Sequence, residues 1–212
     1  MITLKLSELK KHIGMSLNEI KLVPYNPIWA EIYEQNKLRL QKILSKFDDT
    51  FDIHHIGGTS IPNIRVTKPI IDILVRTTKE WAEFDKSGLI PPPIESPIMD
   101  EIKIAGLYEE NKSIIWFRGD CLCVVDPGED SFIYNTIHVE KNVHNDSFLL
   151  FKRYILEHPE IADEYCSLKE ACAAQVNVEF TDQDGNRLKA YTHFKRNFVD
   201  MILSKAKHLY GV

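Results

Sequence analysis

Apolar positions divide the chain into a front part of short runs and a final third of helical stripes. Trp29, Ile32, Tyr33, Leu40, Ile43, Leu44 and Phe47 recur at helical spacing, which predicts an amphipathic helix with its stripe in the core. Asn26-Pro27 predicts where it starts: the Asn side chain accepts from the first free amides, and proline lacks only an N–H that would go unpaired there. Phe51 to Ile56 and Pro69 to Val75 read as strands. The second is nearly continuous in branched apolar residues, so it predicts a central strand. Runs at 113–118, 122–125 and 132–139, with Asp126-Pro127-Gly128 as punctuation, predict three more. A helical lead-in over 1–20 (Ser7 as cap, Gly14 as stop), a short strand at 20–23, and a helix at 80–87 before Pro91-Pro92-Pro93 complete this part.

From residue 145 the period becomes helical. Asp146 is placed to cap a helix through Glu157, and Pro159 to open another through about Val176. Asp182-Gln183-Asp184-Gly185-Asn186 reads as a turn, without the downstream acid of a calcium loop. A last helix carries Tyr191, Phe194, Phe198, Ile202 and Leu209. Strands and helices partly segregate, so the expected fold is α+β, a mixed sheet flanked by helices with a helical C-terminal third. It is read as one domain: lead-in 1–20, sheet-bearing core 21–140 and helical region 145–210.

Composition changes the picture only by exclusion. With 44% hydrophobic and 27% charged residues the chain is an ordinary globular mix. A net charge of -5 argues against nucleic acid as a partner and leaves room for a local cationic cleft. The N-terminus has no signal-peptide core, and no stretch approaches the ~20 apolar residues of a membrane span. Cys121, Cys123, Cys166 and Cys172 form no CxxC pair and no zinc-ribbon spacing, so reduced thiols and a cytoplasmic location are expected.

The candidate chemistry starts where the Phe51–Ile56 strand runs into Gly57-Gly58-Thr59-Ser60. Glycines let a backbone approach a phosphate, and hydroxyls add donors, although small residues after a strand also make ordinary turns. Asp72 sits inside an otherwise apolar strand, where an ionised carboxylate needs a partner or a cleft. Such a carboxylate can hold a divalent cation, here Mg²⁺, which neutralises phosphates. His138 lies on a later strand with Glu140 on the same face. His138 can join Asp72 at a metal, contact a phosphate, act as a base, or be a hydrogen-bonded structural histidine. Of His54 and His55, only one can face the site. Lys68, Lys169 and Lys195 would hold phosphates if they line the cleft, and otherwise belong to the solvated surface.

Ile56-Gly57-Gly58, thirteen intervening residues and Asp72 resemble the nucleotidyltransferase signature. Val23-Pro24-Tyr25-Asn26-Pro27-Ile28-Trp29, His55 to Pro62 and Lys68-Pro69-Ile70-Ile71-Asp72-Ile73 look like the GrpB family within that superfamily. That family is also met as a domain fused behind dephospho-CoA kinase in some bacteria. Ile137-His138-Val139, Phe151 to Ile155, His158-Pro159-Glu160, Tyr165, Leu168-Lys169, and Tyr191 with Lys195 extend the resemblance over roughly residues 20–207. It implies a nucleotidyltransferase-like fold and metal-dependent nucleotidyl transfer from a nucleoside triphosphate to an acceptor. The alternative is a non-catalytic module that binds a nucleotide or CoA-type phosphate. Two departures bear on the choice. The second acid, expected two residues after Asp72 on the same face, is replaced by Leu74, and Lys152-Arg153 stands where the family tends to have Arg-Asp.

Overall fold

The computed structural model describes residues 11–16, 18–45, 51–76, 114–118, 121–128, 132–140, 146–180 and 186–212. The expected lead-in before residue 11, the 80–87 helix, the Pro91–Pro93 segment and most of the 182–186 turn lie outside these residues. Among them, the strands are β1 (Met15–Ser16), β2 (Val23–Pro24), β3 (Asp52–Ile56), β4 (Val66–Thr67), β5 (Ile71–Arg76), β6 (Ile114–Arg118), β7 (Cys121–Gly128) and β8 (Phe132–Glu140). The main sheet runs β3-β5-β8-β7-β6, with β1 joining the start of β8. β5 and β8 are parallel and the other pairs antiparallel, so the sheet is mixed, as expected. The apolar β5 lies between β3 and β8, the central place its sequence predicts. The strand expected at 20–23 shortens to Val23–Pro24, paired with β4 as a separate ribbon. Pro24 lacks a ladder N–H, which keeps it at an edge.

The helices are α1 (Ile28–Leu44), α2 (Ser147–Glu157), α3 (Pro159–Glu179), α4 (Asn186–Phe194) and α5 (Arg196–Tyr210). Asn26 Oδ1 accepts from the Ile28 amide at 3.1 Å, so the predicted N-cap forms. Trp29, Ile32, Tyr33 and Leu40 are buried, and the Tyr33 hydroxyl donates to the Ile53 carbonyl, so α1 covers one face of β3. The other face meets the C-terminal helices. The single helix expected after residue 186 is two, separated at Lys195. Tyr191 on α4 belongs to a core cluster with Met15, Ile70, Cys172 and Val176. Ile202 and Ala206 on α5 belong to another, with Ile61, Tyr154, Ile161 and Cys166. The break at Lys195 lets α4 and α5 each present one apolar face to its own cluster. α3 contributes to both clusters, one near each end.

Asp146 precedes α2 as expected but makes no side-chain cap. Its carboxylate instead accepts from Arg76 Nη1 at 2.5 Å, while Arg76 Nη2 donates to Asp52 Oδ2 at 2.5 Å. A charge-assisted bond to guanidinium is stronger than one to a neutral amide. The Arg76 side chain is only 12% exposed, so this pairing ties β3, β5 and the start of α2 together at one end of the sheet. Arg76→Met should therefore strand two carboxylates against each other and lower stability by about 1–2 kcal/mol, given that the partners are half-exposed. Urea unfolding checks this, and an unchanged midpoint would show that the pairing adds nothing.

Candidate functional site

The site begins where β3 ends. Gly57 has φ 68° and ψ -174°, left-handed backbone that a side chain rarely adopts. A Cβ there would lie 2.2 Å from Asp72 Oδ2, and one on Gly58 would lie 2.0 Å from Thr67 Oγ1 and 3.1 Å from Lys169 Nζ. Both glycines are thus required by close approach. The next residues, Gly58–Ser60, form one turn of 3-10 helix. The Thr59 hydroxyl donates to the Ile70 carbonyl at 3.0 Å, and the Ser60 hydroxyl donates to the Gly57 carbonyl at 2.8 Å. Both hydroxyl protons, expected to meet a ligand, are spent here on bracing the turn. With its proton committed, Thr59 Oγ1 accepts from His55 Nε2 at 3.0 Å, which assigns the Nε2–H tautomer. His55 stacks on Tyr33 with ring centroids 4.6 Å apart, on the α1 face. Of the two adjacent histidines it is therefore His54 that shares the face of Asp72, and it binds Asp52 at 2.6 Å.

Asp72 lies opposite Ile56 on one side and Thr136 on the other, and Leu74 opposite His138. Cross-strand partners share a face, so Asp72, Leu74 and His138 point the same way. Leu74 is fully buried, while the Asp72 side chain keeps 24% of its surface exposed. Its Oδ1 lies 3.7 Å from His138 Nε2, an ion-pair distance too long for a direct hydrogen bond. Burial alone would raise the Asp72 carboxyl, but His138 first, then the charges of Lys68 and His55, hold it below its ordinary value. His138 packs against Phe148 of α2, with ring centroids 5.0 Å apart.

The three candidate lysines come together. Lys169 is only 2% exposed; its Nζ donates to the Val66 carbonyl at 2.7 Å and lies 5.3 Å from the Tyr165 ring centre. Burial, aided by repulsion from Lys68, pulls its ammonium down to about 7 against the pull of Cys166 and Asp72. Lys195 Nζ lies 4.0 Å and Lys68 Nζ 5.3 Å from the centre of one ring, Tyr191. Burial and then repulsion from Lys68 and Lys169 hold Lys195 well below its ordinary value, with Asp72 opposing. Cations from three separate segments therefore feel one another and Asp72.

Tyr165 and Tyr191 belong to the residues that carry the family resemblance, and the sequence alone assigns them no role. They are the aromatic walls beneath the ammonium groups. The missed signal is a repeated spacing: Tyr165 precedes Lys169, and Tyr191 precedes Lys195, by four residues, which sets ring and ammonium side by side on a helix. Lys152 is a further cation, its Nζ donating to the His55 carbonyl at 2.9 Å just before the glycine turn. Arg153 points away, to Glu157 at 2.9 Å and the Tyr210 ring at 3.8 Å, so this departure from the family pattern lies off the cleft. The side chains of Glu140, Cys121 and Cys123 lie outside the described residues. Cys166 and Cys172 are free and buried.

Gly57→Ala should force the turn off Asp72 and cost about 1–3 kcal/mol from backbone strain alone, read from thermal unfolding. A variant as stable as the parent would show that the turn relaxes freely. His55 titrates at about 4 in the fold, because burial and then the Lys152 charge disfavour its cation, against an ordinary 6.5. Between those values the unfolded chain carries a proton that the folded chain does not. The His55 contribution to stability is therefore fully present above pH 6.5 and declines as pH falls towards 4, by about 3 kcal/mol. His55→Gln keeps a donor without the titration and should flatten urea midpoints over that window; an unchanged slope would assign the dependence elsewhere.

Comparison with known proteins bears on the whole chain. The family model described as GrpB protein matches residues 19–205. UPF0157 protein SCO7215 of Streptomyces coelicolor is 39% identical over 91% of this chain and 87% of its own length. UPF0157 protein YqkA of Bacillus subtilis is 32% identical over 74% of the chain, and the match spans only 40% of that longer relative. The crystal structure of conserved protein GrpB from Enterococcus faecalis superposes with a TM-score of 0.63 at 23% identity, covering 91% of this chain and 100% of that one, which shows the same fold. Among the described residues no helix is long and apolar enough to cross a membrane. With a family match over most of its length and close relatives under one family name, the chain belongs to the GrpB (UPF0157) family.

Proposed function

We propose that the cleft binds the phosphate groups of a nucleotide or a related phosphate-bearing small molecule. The reading is carried by the convergence of Lys68, Lys169 and Lys195 on Asp72 beneath the Gly57-Gly58 turn. Ammonium groups are costly to bury and costlier to bury together. A phosphate between them relieves both costs, and lysine serves phosphate as a point charge. The Asp72 charge offsets part of the repulsion among these cations.

Nucleotidyl transfer to an acceptor, which the family resemblance implies, is the second reading. It is favoured by Asp72 held ionised with His138 Nε2 3.7 Å from Oδ1, a pair able to orient an acceptor hydroxyl and take its proton. Two magnesium ions call for a cage of oxygen ligands. The donors described at Asp72 are one carboxylate and one imidazole, Leu74 fills the next place on the strand, and among the described residues no three potential ligands group together. That donor set does not fit a magnesium pair.

A thermal-shift panel of nucleoside triphosphates and CoA derivatives, with and without Mg²⁺, tests the first reading. A bound ligand at 100 times its dissociation constant stabilises by about 2.7 kcal/mol. No shift with any of them would end it. Asp72→Asn should remove whatever metal dependence appears; dependence that persists would place the metal elsewhere.

A further inference from the structure

Lys169 and Lys195 meet neutral partners. Lys169 Nζ has the Val66 carbonyl and the Tyr165 ring, and Lys195 Nζ has the Tyr191 ring. Among the described residues, no carboxylate lies within ion-pair distance of either. Carbonyls and π-faces offset part of the cost of burying an ammonium group, but not the repulsion between two of them. The ring under Lys195 adds an independent observation. Tyr191 is 0% exposed, and its hydroxyl is among the buried polar atoms without a hydrogen-bond partner. A native fold rarely leaves such a group unmatched, because the loss amounts to a whole desolvation penalty. Lys195 thus sits over the ring that carries this unmatched hydroxyl, Lys169 is close enough to repel Lys195, and among the described residues none of the three groups has an anionic hydrogen-bond acceptor. The glycine turn lies directly against this cation: a Cβ on Gly58 would be 3.1 Å from Lys169 Nζ, so only glycine lets the backbone come this close.

We propose that Lys169, Lys195 and the Tyr191 hydroxyl form a binding site for a dianionic phosphoryl group, held by the chain's own cations without a metal ion. The inference rests on the reading of the cleft as phosphate-binding and goes beyond it in naming the group bound and what neutralises it. With Lys68 offsetting the Asp72 carboxylate, the two remaining ammonium groups match a group of charge two. A phosphoryl oxygen accepts from the phenol, whose ordinary hydrogen-bonding role is that of donor. The lysines thus take the part that a pair of metal ions plays where two acids stand on the strand. Leu74 in place of the second acid is consistent with that exchange, since lysines that neutralise the phosphate leave no second ion to be held.

The experiment is isothermal titration of the full chain with inorganic pyrophosphate and, separately, with ATP, each in EDTA and in Mg²⁺. Lys195→Met and Tyr191→Phe are the variants, and circular dichroism confirms their fold. Pyrophosphate should bind in EDTA within about threefold of its affinity in Mg²⁺. Lys195→Met should weaken it at least tenfold. Tyr191→Phe should weaken it several-fold without lowering the melting temperature, since it removes only an unmatched hydroxyl. If Lys195→Met fails to fold, Tyr191→Phe decides alone. Pyrophosphate binding that requires Mg²⁺, or that neither variant changes, overturns this inference. ATP binding without pyrophosphate binding overturns it and leaves the reading of the cleft standing. No binding of either probe under any condition removes both.

Discussion

The arrangement depends on how closely the Gly57-Gly58 turn lies against its neighbours. Asp72 Oδ2 and Thr67 Oγ1 occupy the space where the two Cβ atoms would be, so any other residue would displace them. That contact brings the end of β3 down onto β5 and leaves the Asp72 carboxylate directly beneath the backbone. Thr59 and Ser60 turn their hydroxyls back onto carbonyls, and His55 completes the brace from the other face of the sheet. The turn is held by its own hydrogen bonds.

β5 carries opposite electrostatics at its two ends. Arg76 lies among Asp52 and Asp146, a cation matched by acids. Asp72 lies near Lys68, Lys169 and Lys195, an acid outnumbered by cations. Leu74, fully buried, separates them on the shared face. The first end is self-sufficient and acts as structure. The second has charge to spare, and a buried excess of one sign costs stability unless a ligand uses it.

α3 is what makes this possible. Its two ends anchor in different apolar clusters, and that packing outweighs the cost of placing Lys169 between them. The division of the final helix at Lys195 serves the same geometry. α4 presents Tyr191 to one cluster while α5 turns to the other, and Lys195 at the joint stays beside the Tyr191 ring.

The sequence by itself determined the main strands, the first helix and the helical period of the final third, and the kind of residue each close contact demands. A branched apolar run must be a central strand, Asn26 must start a helix, and paired glycines before a strand-borne acid mark a turn without side-chain bulk. It could not distinguish lysines that line a cleft from lysines in solvent, because residues 68, 169 and 195 share no local pattern. The four-residue Tyr–Lys spacing is local and was readable, but only as two helix-face pairs. Nor could it tell that Asp146 would bind Arg76 rather than its own helix, since a cap and an ion pair use the same carboxylate. Those outcomes were decided by tertiary structure, because the packing of α3 and α4 against the sheet sets which charges meet at Asp72, and such contacts bring Lys169 and Lys195 to an acid about a hundred positions away.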